Sequence, residues 1–196
     1  MGCGQSRRCA GKEQLWEHID GVLAGNRQVV IAIDGCSGSG KTTLAEEMKR
    51  RYGLSVVHMD DFFLRPEQRN LERRQEPGGN IDYERFEEEV LPWLGSGRAF
   101  SYRRFDCAVM RLGEKVEVPP GPVVLEGVYS CHPRFLPKID HKIFLTLPRE
   151  EQLRRIERRG GTEKLKRFLA EWIPLEDRYF SAFSVAEQAD EILTIE

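Results

Sequence analysis

The stretch GCSGSGKTT, residues 35–43, decides the fold of this 196-residue chain. It satisfies the pattern G-x-x-x-x-G-K-[ST], and it lies between an apolar, β-branched run (VVIAI, residues 29–33) and a helical pattern (residues 41–52) that Gly53 closes. The glycines allow the backbone N–H groups to turn inward around an anion, the amino end of the helix adds positive potential, and Lys41 adds a full charge. The stretch therefore predicts a P-loop, which binds the phosphates of a nucleotide.

The residues of this loop have separate predicted roles. Lys41 is expected to reach the β and γ phosphates of ATP, and the Thr42 hydroxyl is expected to ligate Mg²⁺. The predicted nucleotide-binding residues are Gly35, Cys36, Ser37, Gly38, Ser39, Gly40, Lys41, Thr42 and Thr43.

Strand and helix patterns alternate along the rest of the chain. Strands are predicted at residues 29–33, 54–59, 123–125 and 142–147 and at the terminal EILTI, and helices at residues 41–52, 86–94, 149–159 and 163–172. This alternation predicts an α/β fold, a three-layer P-loop NTPase sandwich with a mostly parallel central sheet and a helical lid. The segments AFSYRRF and EKVEV predict a hairpin.

We expect one domain over residues 1–196. An N-terminal segment and helix (residues 1–28) precedes a nucleotide-binding core (residues 29–196). Within the core, the polar stretch at about residues 60–80 predicts a long substrate loop, and the arginine-rich helices at about residues 149–172 predict the lid.

Composition narrows the class of protein. The formal net charge is -2 and 40% of residues are hydrophobic, so the chain can bury a core but has no overall basic field, and no nucleic-acid partner is expected. No apolar run is long enough to cross a bilayer, and the first residues lack the apolar core of a secretory signal, which predicts a cytoplasmic protein. The five cysteines and four histidines show no metal-type spacing, which favours reduced thiols. The oligomeric state stays open, a homo-oligomer included.

One short pattern at the amino terminus is that of a membrane-attachment signal. MGCGQSRR has the Gly2 and Ser6 of an N-myristoylation site, with Cys3 as a second acylation candidate. Such loose patterns are common in polar termini, so membrane attachment is not expected.

Acidic side chains follow two of the predicted strands. Asp60 and Asp61 come directly after the second strand, and Glu126 ends the strand VVLE. Because the carboxyl ends of parallel strands line the ligand crevice, Asp60 is the candidate base for a substrate hydroxyl and Glu126 a candidate Mg²⁺ ligand. The alternatives are a turn or helix cap for the aspartates and a solvated Glu126.

Arginines cluster on the predicted lid helix, at positions 154, 155, 158 and 159. Arginine forks suit a transferring phosphoryl group, so Arg155 and Arg158 are catalytic candidates. A solvated face paired with neighbouring glutamates is the alternative.

These segments together resemble the uridine kinase family and its relatives among nucleoside, pantothenate and phosphoribulose kinases. GCSGSGKTT is similar to the family's P-loop, MDDFF to the segment whose first aspartate is the catalytic base, and LEGVY to its Glu-Gly segment. The resemblance implies a nucleoside-kinase-like fold, Asp60 as the base, ATP and Mg²⁺ as cofactors, and a small-molecule hydroxyl as substrate. The substrate-contact residues that it implies are Asp60, Phe63, Asp82, Tyr102 and Asp106.

Three functions are therefore weighed. The first is an ATP-dependent kinase that phosphorylates a small hydroxylated molecule, most naturally a nucleoside. The second is a nucleotide-driven switch or accessory ATPase acting on a protein partner, favoured by a segment without counterpart in the family, WIPLEDRYF, whose aromatic residues are candidates for an exposed interface. The third, a nucleic-acid kinase, rests only on paired arginines and ranks last.

Overall fold

The computed structural model describes residues 7–9, 11–25 and 28–195, with the side chains of residues 7 and 8 left out. Within these residues, the strands of the central sheet are all parallel and lie in the order β1-β8-β7-β2-β6-β3. Their bounds are β1 Arg7–Cys9, β2 Val30–Gly35, β3 Ser55–His58, β6 Val123–Glu126, β7 His141–Thr146 and β8 Glu191–Thr194. The predicted α/β class with a parallel sheet is thus confirmed.

The central strand β2 is buried along its whole length. Val30 and Ala32 face one apolar cluster, whereas Ile31 and Ile33 face the other. Both faces of the sheet are therefore covered, which explains why the strand is a continuous run of apolar residues rather than an alternating pattern.

The helices are α1 Lys12–Leu23, α2 Lys41–Tyr52, α3 Leu71–Gln75, α4 Tyr83–Glu89, α5 Arg149–Arg167 and α6 Ile173–Phe183. One π-helical turn, Phe168–Trp172, joins α5 to α6. Inside α5, Gly161 has φ 75° and ψ 176°, so the helix is broken into two arms at this residue. The predicted helical lid is present, and its two arms are separated where the sequence has a glycine pair.

The predicted hairpin is also present, as a separate antiparallel pair of β4 Phe100–Asp106 and β5 Arg111–Val118. Two details differ from the sequence predictions. The helix predicted at residues 86–94 ends at Glu89, because Pro92 has no N–H to donate and disfavours helical geometry before it. The predicted long loop at residues 60–80 contains α3 and two short 3₁₀ turns, Met59–Phe62 and Pro66–Gln68.

In the described part of the chain, every helix is too short or too polar to span a bilayer. The acylation candidates Gly2, Cys3 and Ser6 lie outside the described residues.

Candidate active site at the carboxyl edge of the sheet

The glycine loop leaves the end of β2 and leads into α2. Gly35, Gly38 and Gly40 all have positive φ, of 132°, 84° and 95°. At Gly35 a Cβ atom would also lie 2.0 Å from the Leu145 carbonyl oxygen. The first glycine is therefore required both by its backbone conformation and by the close approach of β7.

Lys41 is the first residue of α2, and its side chain is buried in the loop. Its ammonium donates hydrogen bonds to the carbonyl oxygens of Gly35 at 2.8 Å and Cys36 at 3.0 Å. Both acceptors are neutral, so the charge of Lys41 stays available for an anion that enters the loop.

Oxygen ligands converge beside the loop. The Thr42 hydroxyl donates to Glu126 Oε1 at 3.1 Å, and His58 Nδ1 lies 2.7 Å from Glu126 Oε2. That hydrogen bond to Glu126 raises the pKa of His58. A hydroxyl and a carboxylate within hydrogen-bond reach of each other are the kind of donors that Mg²⁺ takes, so this corner fits the ion.

Two adjoining recesses open at this edge of the sheet. The first, which we call the loop recess, has a volume of about 540 Å³ and is lined by the glycine loop, Glu126, Arg155, Arg158 and Arg159. The second, which we call the aromatic recess, has a volume of about 610 Å³. Asp60 lines both, so one carboxylate stands at the boundary between them.

The structure separates the two neighbouring aspartates. Asp60 is open to solvent at the mouth of the recesses, yet partial desolvation there, followed by repulsion from Glu126, raises its pKa. Asp61 is buried, where it accepts a hydrogen bond from the Tyr102 hydroxyl at 2.9 Å and pairs with Arg104 Nε at 2.9 Å. Asp61 is therefore held by partners, whereas Asp60 faces the recesses.

The first arm of α5 brings its arginines to the loop recess. Arg155 and Arg158 both line it, and Arg159 lines both recesses. Arg155 also pairs with Glu151 at 2.6 Å, one turn away, and Arg154 points to solvent and pairs with the same glutamate. The structure thus shows both features that the sequence offered as alternatives for these arginines: a cationic face on the loop recess and pairing with a neighbouring glutamate.

The aromatic recess is lined by rings and by cations. Phe63 and Trp172 form one wall, with ring centroids 5.5 Å apart. The second arm of α5 contributes the cations Lys164 and Arg167 to the same recess. Such a cavity can hold a flat ring on its aromatic wall and an anionic group beside it.

Three candidate substrate residues do not line either recess. Asp82 is fully buried, caps α4 by accepting from Arg85 N at 3.1 Å, and accepts from Arg65 Nε at 3.1 Å. The Tyr102 hydroxyl is occupied by Asp61. Asp106 accepts from Ala108 N at 2.8 Å in the turn of the hairpin. Among the candidates for substrate contact, the structure places Asp60 and Phe63 in the recess walls.

Sequence reasoning missed a contact between α6 and the glycine loop. Glu176 is buried and accepts a hydrogen bond from Ser37 N at 3.0 Å and another from the Ser37 hydroxyl. Desolvation raises the pKa of Glu176, although the bonds from Ser37 oppose this. Glu176 also lines the aromatic recess, so it stands at its junction with the loop.

A second buried bond ties α6 to the end of β2. The Tyr179 hydroxyl donates to Asp34 Oδ2 at 2.8 Å, and neither residue has any exposed surface. The expectation of exposed aromatic residues in WIPLEDRYF is therefore wrong: Tyr179 is buried, and Trp172 and Phe180 are half-buried. The segment forms the back of the candidate site.

The fold and this loop define a P-loop nucleotide-binding protein. The chain belongs to the AAA domain family, whose family model matches residues 31–179.

Several kinases are similar to this chain. The uridine kinase of Ureaplasma parvum serovar 3 is 27% identical over 151 residues, which cover 71% of this chain and 72% of the relative. A uridine kinase from Clostridium perfringens is 26% identical over 152 residues, or 69% and 72% of the two chains. The resemblance seen in the motifs is confirmed.

Solved structures share the fold. A protein described as a possible uridine kinase from Bacillus stearothermophilus superposes with a TM-score of 0.70 at 22% identity, covering 92% of this chain and 96% of its own. D-glycerate 3-kinase from Cryptococcus neoformans has a TM-score of 0.59 at 17% identity, covering 93% and 92%. The architecture is thus that of P-loop kinases that act on small molecules.

Proposed function

We propose that this protein is an ATP-dependent kinase that transfers the γ-phosphoryl group of ATP to a hydroxyl of a small molecule, of the nucleoside class. The observation that carries the proposal is the position of Asp60, whose carboxylate lines both recesses. A base at the boundary between a phosphate site and an acceptor site is what phosphoryl transfer to an alcohol requires. The likeness to kinases of small molecules supports the same conclusion.

The nucleotide phosphates would bind in the loop recess. The backbone N–H groups of the glycine loop and the amino end of α2 surround them, and Lys41 exchanges its two carbonyl acceptors for phosphate oxygens. Thr42 and Glu126 would hold Mg²⁺, which supplies charge neutralisation between the β and γ phosphates.

Asp60 would accept the proton of the incoming hydroxyl. Its raised pKa makes it a stronger base than an ordinary aspartate. The transfer passes through a loose transition state, so positioning and charge stabilisation carry most of the acceleration. Arg155 and Arg158, in the wall of the loop recess, would stabilise the charge on the transferring group.

The acceptor would occupy the aromatic recess. The rings of Phe63 and Trp172 offer a surface for a flat base, which supports the nucleoside class. Asp82 is committed to the helix cap and to Arg65, so we do not assign it the substrate contact that the resemblance implies. The exposed aromatic surface that favoured a protein-directed switch is not found in residues 171–180, so that alternative loses its support.

The test measures ADP release with Mg·ATP and a panel of nucleosides, sugar acids and other small alcohols. We expect release to depend on the acceptor and the phosphorylated product to appear in mass spectra. Asp60→Asn should retain ATP affinity while its turnover falls at least about 100-fold, within the usual contribution of a general base. The matched control is Asp61→Asn, which should lower stability but keep much of the turnover per folded molecule. Release that ignores every acceptor, or normal turnover in Asp60→Asn, would refute the proposal.

A further inference from the structure

A second cluster of potential ligands uses none of the residues that line the two recesses. Cys9, His18 and Glu191 each point one ligand atom into a common space, and these atoms lie within 4.8 Å of one another. His141 adds a fourth, with Nε2 at 3.9 Å from Glu191 Oε1. No spacing in the sequence indicates this cluster, because Cys9 and Glu191 are 182 residues apart in the chain.

We propose that Cys9, His18, His141 and Glu191 form a structural Zn²⁺ site between helix α1 and the strands β1, β7 and β8. Each ligand comes from a different element: Cys9 ends β1, His18 lies on α1, His141 begins β7 and Glu191 begins β8. A thiolate, two imidazoles and a carboxylate are ligand types that zinc takes, and four protein ligands leave no open position for chemistry.

The distances are close to those of a tetrahedral zinc site. Glu191 lies 2.9 Å from Cys9 Sγ, 2.9 Å from His18 Nδ1 and 3.9 Å from His141 Nε2. Ligands at 2.0–2.3 Å from zinc in a tetrahedron are about 3.3–3.8 Å apart. The ligand atoms of Cys9, His18 and Glu191 already lie within 4.8 Å of one another, so small movements would bring them to bonding distance, and the His141 side chain would complete the set by turning toward them.

Two features of the cluster favour a bound cation over these side-chain contacts alone. His18 Nδ1 and His141 Nε2 are both buried and lack a hydrogen bond of acceptable geometry among the described residues, and His141 is only 9% exposed. Glu191 is 1% exposed, and among the described side chains its ion pairs are with these two imidazoles. Buried charges and ring nitrogens need a partner, and a metal supplies one to all of them.

Charge balance favours a divalent ion. On binding, Cys9 gives up its thiol proton to solvent, so one thiolate and one carboxylate neutralise Zn²⁺ in a buried site. His141 Nδ1 faces Asp190 Oδ2 at 3.9 Å, where a carboxylate commonly orients a ligating imidazole.

The position defines the role. His141 pairs with Ile31 on β2, four residues before Gly35, whereas Glu191 pairs with Ile143 on β7 and Cys9 pairs with Leu193 on β8. The cluster thus extends from β7 to the edge strand β1, and none of its residues lines either recess. The ion would attach the short edge strand β1 and helix α1 to the strands β7 and β8. This proposal does not depend on the proposed kinase activity.

The test uses the full chain purified without a metal-binding tag. After dialysis against micromolar zinc and then buffer, we expect about one zinc per chain by mass spectrometry of the elements. Cys9→Ser and Glu191→Gln should each lower the zinc content per chain at least fivefold. The matched controls are Cys107→Ser, another thiol, and His58→Asn, which tests for zinc bound beside Glu126; both should keep the ion. Removal of zinc by a chelator should lower the melting temperature of the wild type.

Cobalt provides a second measurement on the unaltered chain, in case the variants fold poorly. Co²⁺ bound at this site should show the near-ultraviolet absorption of a thiolate–cobalt bond, and zinc should abolish it. Wild-type protein that takes up less than a fifth of an equivalent of zinc, full zinc content in Cys9→Ser, or cobalt binding without the thiolate absorption would each overturn the proposal.

Discussion

Replacing Tyr179 with phenylalanine tests how α6 is held against the candidate site. The carboxylate of Asp34 has no exposed surface and accepts from three donors: Gly35 N at 2.7 Å, Cys131 N at 2.9 Å and the Tyr179 hydroxyl at 2.8 Å. Tyr179→Phe removes one of them and keeps the ring, so packing changes little. A hydrogen bond to a charged group contributes about 1.5–3 kcal/mol to stability. Because two donors to Asp34 remain, we expect Tyr179→Phe to lower the free energy of unfolding by about 2 kcal/mol.

The assay is urea unfolding at neutral pH, followed by circular dichroism. With a slope of about 2–3 kcal/mol/M, the midpoint should fall by about 0.7–1 M. Tyr52→Phe is the matched control, since Tyr52 donates to Asp20 at 2.7 Å on the surface. That bond competes with water, so its removal should cost under about 0.5 kcal/mol. If the two variants lose equal free energy of unfolding, or if Tyr179→Phe loses less than about 0.5 kcal/mol, burial does not make the bond from Tyr179 to Asp34 stronger than a surface bond, and the reasoning is refuted.

Three further outcomes are expected. Lys41→Met removes the ammonium from the loop, so ATP affinity measured by calorimetry should fall at least about 30-fold. This matches the cost of about 2–5 kcal/mol for truncating one partner of a buried charge pair. A fall under fivefold would contradict the role of Lys41. Glu176→Gln removes a negative charge beside the phosphate site but keeps an acceptor for Ser37 N. Because less negative charge then repels the phosphates, ATP affinity should rise about threefold to tenfold (~0.7–1.4 kcal/mol). Weaker ATP binding would mean that the carboxylate of Glu176 orders the loop. Because the pKa of Asp60 is raised, mainly by desolvation, its base form is lost as pH falls through that higher value, so turnover should decline on the acid side with a midpoint above the ordinary pKa of an aspartate. A profile that stays flat as pH falls to that ordinary pKa would argue against Asp60 as the base.

The sequence predicted the parts of the site that are local in the chain. The glycine loop, Lys41 and Thr42 form one contiguous motif, and their positions follow from the strand before them and the helix after them. Asp60 and Glu126 could be placed because Glu126 ends the parallel strand β6 and Asp60 follows the end of its neighbour β3 by two residues, and such strand ends share one edge.

Contacts between distant segments could not be predicted in this way. Glu176 bonds to Ser37 across 139 residues and Tyr179 to Asp34 across 145. No periodicity or spacing reports such pairs, because they depend on how α6 packs after the lid. Asp82 shows the converse: the resemblance implies a substrate contact for this residue, whereas in the structure its carboxylate caps α4.

The break at Gly161 divides α5 into two arms whose arginines line different parts of the candidate site. Apart from the adjacent backbone, no atom lies within 4 Å of the position that a Cβ atom of residue 161 would take. What resists substitution is therefore the backbone conformation, φ 75° and ψ 176°, which costs roughly 1–3 kcal/mol for a residue with a side chain. The arm before it contributes Arg158, and the arm after it contributes Arg167. Under the proposed function, substitution of Arg158 should therefore change mainly the affinity for the phosphoryl donor and substitution of Arg167 mainly the selectivity for the acceptor, whereas substitution of Arg159, which lines both recesses, should change both.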